Sequence, residues 1–398
     1  MGYGMYAYIF PNFLTFVNAT PPEVGLVSTI LAASMALTLL PGGVLSDKGH
    51  RRKLVIASWF LPVFAPLFFI LAQTADTWLY ALPGVAMFGS SWIGVAAVQS
   101  YISEAAPTGK RGLSFGILVS SGSIGLIPSP LIGGLVVETY GFTALFLLAL
   151  ILYAISTAMV LTIPRLPGDS IALWDSPSRG LVKPSEEGRN EARILVKKDD
   201  ESMGKVSRLS SRPSVLRRLI PMLALSCLFM GFVYLGWSYI PLYLSEHYGF
   251  NYYSVQLMYA IANLSSIVII NALGKLSDRF SPSDKLALII VPITAIIFGY
   301  WILLDAPSLL VLSGSFILMG SVAAIFPLVY STVGEMSAGR SVGRTYGVIG
   351  TFIYAAEATT PYLGGVLYAN SIGLPFTVVL ILSPVLFVAV YLAHRKTD

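Results

Sequence analysis

Gly42 to Lys53 reads GGVLSDKGHRRK and closes an apolar run that begins near Val24. Two glycines, an aspartate and a burst of basic residues stand at the end of that run. A related stretch, LGKLSDR from Leu273 to Arg279, stands behind another apolar run. Of 398 residues, 55% are apolar and only 11% charged, too few charges to cover a water-soluble surface. Both stretches therefore read as water-facing ends of helices that contact lipid.

Apolar stretches of about 20 residues give twelve spans, roughly 2–18, 24–45, 54–72, 79–102, 113–135, 142–163, 218–243, 254–273, 286–304, 308–332, 344–367 and 372–392. The runs are continuously apolar rather than alternating, which excludes a β-barrel. They lack the polar faces of a soluble helical core. With alternating crossings, all 25 Lys and Arg fall on one side. They are Lys48, Arg51, Arg52 and Lys53; Lys110 and Arg111; twelve between Arg165 and Arg218; Lys275, Arg279 and Lys285; Arg340 and Arg344; and Arg395 and Lys396. The opposite connections carry Glu23, Asp76, Glu138, Glu246 and Asp305 and no basic residue. Positive charge stays inside, so both termini and the long middle segment are expected in the cytoplasm of a multi-pass protein of the cell (inner or plasma) membrane. The net charge of +5 follows from this topology and implies no nucleic-acid partner.

A shift of 231 superimposes the two halves. Gly43, Leu45, Ser46 and Asp47 fall on Gly274, Leu276, Ser277 and Asp278, Glu104 on Glu335, Gly116 on Gly347, and PLIGG (Pro130–Gly134) on PYLGG (Pro361–Gly365). The expected architecture is all-α and polytopic, with twelve transmembrane helices in two pseudo-symmetric six-helix bundles, 1–163 and 216–398. A cytoplasmic tether of mixed charge, 164–215, joins them. The shift also places Met1 on Phe232, inside the seventh span, so either the first span is truly short or, the favoured expectation, the natural chain begins further upstream.

One cysteine, Cys227, excludes an internal disulfide, and no metal cluster or cofactor is expected. His50, His247 and His394 do not group, which argues against a membrane enzyme, and no phosphate-binding GxxxxGK[ST] loop points to an ATP-driven pump. NAT at Asn18–Thr20 matches a glycan acceptor but lies too near a span end to carry weight.

On Gly43, Leu45, Asp47, Lys48, Arg51 and Arg52 the chain resembles the major facilitator superfamily, whose loop between the second and third helices has this order; His50 stands where the family usually has glycine. The resemblance implies twelve helices around a central path that opens alternately to each side. It makes Gly43, Asp47, Arg51 and Arg52, with Gly274, Asp278 and Arg279 of the second copy, cytoplasmic gate or switch residues. Glu104, Arg111, Glu335, Arg340 and Arg344 join them as expected gate salt bridges. In the fifth span Gly116, Gly125, Ser129, Pro130, Gly133 and Gly134 are similar to a signature of exporters, particularly proton-linked antiporters, with Ser129 in place of a glycine. The arginine that drug/proton antiporters commonly hold in the fourth span is missing from YALPGVAMFGSSW (Tyr80–Trp92).

Glu357 is the one carboxyl deep in a span, and no Lys, Arg or His lies at comparable depth. A group of that kind is a coupling or substrate site by default, here for a proton taken up from one side and released to the other. Tyr6, Asn12, Trp92, Tyr234, Trp237 and Asn263, together with Tyr3, Tyr8 and Tyr239, are candidate cavity residues on the spans that face the family's central path. Aromatic lining without Lys or Arg suits a small neutral, cationic or amphipathic organic solute and argues against phosphorylated or dicarboxylate ones. The expected activity is secondary active transport by a monomer, with proton-driven export leading, import by symport the alternative, and a non-transporting sensor less favoured.

Overall fold

The computed structural model describes residues 2–106, 110–163, 213–280, 288–336 and 342–395. Most of the expected tether (164–212), Arg340, and the side chains of Glu104 and Glu335 lie outside the described residues. Among the described residues the regular elements are all helices: α1 (Gly2–Tyr6), α2 (Phe10–Phe16), α3 (Pro21–Asp47), α4 (Arg51–Thr74), α5 (Trp78–Ser103), α6 (Arg111–Gly125), α7 (Pro128–Leu161), α8 (Pro213–Trp237), α9 (Ile240–His247), α10 (Tyr252–Ser277), α11 (Ile290–Leu304), α12 (Leu309–Gly334), α13 (Val342–Ala358), α14 (Pro361–Asn370) and α15 (Leu374–Arg395).

Among the described residues eight stretches are long and apolar enough to cross a membrane, and they leave large apolar side chains such as Leu37, Ile132, Ile151, Met159, Leu310 and Ile381 exposed. A belt of that size on the outside of a folded chain is a lipid-facing surface. One stretch, Arg111–Leu161, has 51 residues. Drawn straight it would measure about 76 Å, more than twice the ~30 Å of hydrocarbon. It turns back instead at Gly141, whose φ of 79° and ψ of 178° a side chain would strain. Beyond the turn Thr143 donates to Gln73 Oε1 (2.9 Å) and Thr157 to the Trp59 carbonyl (2.7 Å), so the chain returns antiparallel to α4. Arg52 closes this hairpin, donating to the carbonyls of Leu161 (3.1 Å) and Ile163 (2.8 Å) at the end of α7. A cation at that helix end also complements its partial negative charge.

The first expected span, 2–18, is not one helix. It breaks at Ala7–Ile9, ahead of Pro11. Related breaks separate α6 from α7 ahead of Pro128, α8 from α9 ahead of Pro241, and α13 from α14 ahead of Pro361. In each case proline sits in the first turn of the following helix, where its missing N–H costs little. The fourth and tenth expected spans are tightened rather than broken, by 3₁₀ turns at Ser91–Gly94 in α5 and Gly320–Ala324 in α12. Interruptions of this kind within the apolar depth mark places where the backbone faces protein or a cavity rather than lipid.

Two long seams hold the molecule together. Along one, α3 packs on α13 and α14; along the other, α10 packs on α6 and α7. Glycines set both contacts: a Cβ on Gly43 would overlap the Gly343 carbonyl, and one on Gly274 would lie 2.7 Å from the Gly112 carbonyl. Backbone thus meets backbone at the end of each seam that carries the basic residues.

Candidate functional site

At that basic face the sequence repeat becomes a pair of matching contacts. Asp47, at the end of α3, accepts the N–H groups of Gly343 (Oδ1, 2.8 Å) and Arg344 (Oδ2, 2.8 Å), the first turn of α13. Asp278, just past α10, accepts those of Gly112 (Oδ1, 2.8 Å) and Leu113 (Oδ2, 3.0 Å), the first turn of α6. The two sets are related residue for residue by the shift of 231. Helix starts carry unpaired N–H groups and partial positive charge, so a carboxylate is their natural partner. Arg51 is buried near the same face, and Arg111 and Arg344 stand in the helix turns that the two aspartates cap. Arg279 follows Asp278, and its backbone N–H turns back to Leu276.

The opposite, acidic face is shut by different groups. The Tyr239 hydroxyl donates to the Pro361 carbonyl, joining α9 to α14 beside the Pro21 carbonyl at the start of α3. Glu138 accepts the Tyr252 N–H at the start of α10 (2.7 Å), and Asn12 Nδ2 donates to Ser245 Oγ (2.9 Å).

Between the two faces lies a cavity of about 510 Å³. The breaks and the tightened turns all open onto it, through Ala7 and Tyr8, Leu126, Ser238, Trp92, Gly320 and Glu357. Trp237, Tyr234, Tyr259 and Tyr354 supply aromatic walls, and Ser123, Asn263 and Ser266 supply polar edges. The described lining contains no Lys, Arg or His. Glu357, in the last turn of α13, is 4% exposed; its Oε2 has no hydrogen-bond partner, and Tyr234 faces the carboxyl. A second cavity, about 680 Å³, lies beside Gly2 and Tyr3 between α4, α5 and α7, and shares Tyr3, Trp92, Val119, Phe326 and Tyr354 with the first.

Trp92, Tyr234, Trp237 and Asn263 line the central cavity, with Tyr3 and Tyr8. Tyr6 and Asn12 do not. Tyr6 is buried among Phe10, Phe69 and Phe146 with its hydroxyl 3.0 Å from that of Tyr153. Tyr6 ends α1 and packs into that aromatic cluster, whereas Tyr8, in the turn that follows, lines the cavity. Asn12 lies beyond the first break, in a groove at the acidic face with Glu138 and Ser245. Tyr239 likewise serves the closed face rather than the cavity. Of the fifth-span signature, Gly133 abuts the Met5 backbone, Gly134 the Tyr253 backbone and Gly116 Asn271. Ser129 donates to the carbonyl of Gly125, the last residue of α6, and Pro130 lies in the first turn of α7. Tyr259 and Ser266 escaped the sequence reading although they signal themselves: Gln256, Tyr259, Asn263 and Ser266 form one polar stripe at helical spacing through an apolar span. Among the described residues no group of three His, Cys, Asp or Glu side chains could hold a metal ion.

A profile of the Major Facilitator Superfamily matches residues 1–326. An uncharacterized MFS-type transporter of Methanocaldococcus jannaschii is 28% identical over 141 residues, 35% of this chain and 36% of that protein. A probable sugar efflux transporter of Pasteurella multocida is 30% identical over 155 residues, 39% of this chain and 38% of that protein. The chain thus aligns with less than two-fifths of the length of these relatives. Among solved structures, the human organic anion transporter MFSD10 superimposes with a TM-score of 0.67 at 17% identity, covering 98% of this chain and 95% of that one. Nucleoside transporter NupG gives 0.65 at 14% (100% and 96%), and the E. coli fucose:proton symporter 0.61 at 15% (100% and 95%). At such identities the likeness is one of fold.

Proposed function

The chain belongs to the major facilitator superfamily, and from that premise we propose that it moves a small organic solute across the cell membrane by proton-coupled alternating access. The observation that carries the reading is Glu357, a carboxyl sealed into a cavity midway between two closed faces, with one oxygen unpartnered. A buried carboxylate needs a partner that neutralises it, and a proton is the smallest. Asp47 and Asp278 hold the basic face shut and release it when that face opens.

In this reading the chain crosses twelve times. The hairpin at Gly141, the broken pairs α1–α2 and α13–α14, and the shorter α11 bring the eight long apolar stretches to that number. The bundles are 1–163 and 216–398, the tether is 164–215, and the basic face is cytoplasmic with both termini on it. One chain carries both halves of the site and works as a monomer.

Symport is the favoured direction. With Glu357 neutral and a neutral solute aboard, the described lining holds no buried charge, so the doubly loaded form can close at both faces and turn over. Two structures of similar fold are named a fucose:proton symporter and a nucleoside transporter. Export is the second reading, supported by the pattern from Gly116 to Gly134 and by the curated relative named a probable sugar efflux transporter. Those glycines pack α6 and α7 against α1 and α10, a duty that either direction requires.

The test uses protein reconstituted in oriented vesicles and a solute first found by thermal stabilisation. An inward proton gradient is expected to drive uphill uptake with alkalinisation outside. Glu357→Gln is expected to abolish accumulation and leave solute exchange intact. Coupled accumulation that survives in Glu357→Gln removes the proton role; uphill extrusion against the same gradient selects export.

A further inference from the structure

One wall of the central cavity is made by a side chain that behaves as a small molecule would. Tyr8 sits in the turn Ala7–Ile9, outside both flanking helices. Its ring stacks on Tyr259, with centroids 4.1 Å apart and planes 10° from parallel. Its hydroxyl donates to Asn263 Oδ1 (3.2 Å) and accepts from Asn263 Nδ2 (2.9 Å). The same Nδ2 also donates to the Tyr259 carbonyl (2.8 Å), so Asn263 is fully engaged only while Tyr8 is in place. Trp237 stands edge-on to Tyr259 at 6.1 Å, and the Ser266 and Ser123 hydroxyls meet 3.2 Å apart nearby.

Two features single out this contact. A residue in a turn can swing aside without breaking a helical hydrogen bond, and Tyr8 is only half-buried, with cavity space beside it. What it offers Tyr259 and Asn263, a flat ring face and one hydroxyl at the edge, is what a free ring compound can offer equally well. We propose that Tyr8 is a built-in stand-in for the solute. A neutral or cationic solute with a ring face and a hydroxyl or amine N–H at its edge takes its place on Tyr259 and Asn263. The exchange is like for like, so the ring stack and the carboxamide are partnered both before and after it. Displacing Tyr8 also undoes a tie between the first helices of the chain and α10, so loading loosens the acidic face.

This inference rests on the cavity being the transport site, but its test is a binding measurement that needs neither a gradient nor Glu357. The probe is 4-methylphenol, the tyrosine side chain as a free molecule, titrated into the full-length purified protein by calorimetry. The wild type is expected to bind it weakly and Tyr8→Gly at least about tenfold more tightly. Adding Asn263→Ala to Tyr8→Gly is expected to cancel the gain, and toluene is expected to show no dependence on Asn263. If Tyr8→Gly does not fold, Tyr8→Phe carries the test, with a gain of about threefold that Asn263→Ala again removes. No gain in either variant, or a gain indifferent to Asn263, overturns the proposal. In the wild type, ring alcohols and ring amines should compete with the probe; open-chain polyols or carboxylates competing better would overturn the assigned class. A protein that passes these tests and still shows no proton-coupled flux would retain the binding assignment and lose the transport reading.

Discussion

Asp47 and Asp278 each place both carboxylate oxygens on the first N–H groups of a helix far away in sequence. Bonds from a charged acceptor contribute roughly 1.5–3 kcal/mol apiece when well formed. Asp47→Asn keeps an acceptor but removes the charge, so it is expected to shift the basic face toward open by about ten- to a hundredfold. The measurement is the labelling rate of a cysteine placed at Ser100, fully buried on α5 beside Gly343 of α13, in a Cys227→Ser background. Unchanged labelling and unchanged flux would show that the contact does not limit opening. The aspartates and their repeat were legible in the sequence because an acid set among basic residues stands out, and its duplication at one fixed shift marks it as part of a paired design. Their partners were not, since nothing local in VGR (Val342–Arg344) says which carboxylate will cap it. Tyr6 was not legible either: membership of a path-facing span does not say that its ring packs away from the cavity, on Phe69 and Phe146.

At the scale of elements, the seams depend on the absence of side chains at a few positions. A Cβ on Gly347 would lie 2.7 Å from the Leu39 carbonyl, and one on Gly274 equally close to that of Gly112. Gly347→Ala is expected to leave the helices folded and to hold the basic face apart, with faster labelling of the Ser100 cysteine and flux reduced about tenfold or more. Gly314→Ala in α12, with open space around it, is the control and is expected to be neutral or stabilising by up to about 1 kcal/mol. Equal behaviour of the two variants would remove the close-packing account. The long apolar helices were legible from apolar length alone. The breaks were less so, because a proline in an apolar run marks where a helix can restart but tertiary packing decides whether it does.

For the whole molecule, the separation of basic from acidic connections is the property that orders everything else. Single cysteines at Lys110 and Lys275 are expected to react with an impermeant reagent only from the cytoplasmic side, and cysteines at Thr77 and Ser308 only from outside. Labelling of either pair from the wrong side would require a different number of crossings. Composition and charge placement carried the fold class into plain view, since lipid leaves a chain few alternatives. The centre of the molecule was harder to read, for a cavity is a relation among six interrupted helices and no one of them encodes it.

The prolines that restart the broken helices have an effect on the cavity beyond bending. Each lacks an amide hydrogen, and the residues four places before Pro11, Pro130, Pro241 and Pro361, namely Ala7, Leu126, Trp237 and Glu357, line the cavity, whereas Ile124, four before Pro128, is exposed. The main chain beside the cavity is therefore short of N–H donors at these positions. A backbone short of N–H groups at this level offers little to an anion, and no side-chain replacement in the wall restores them.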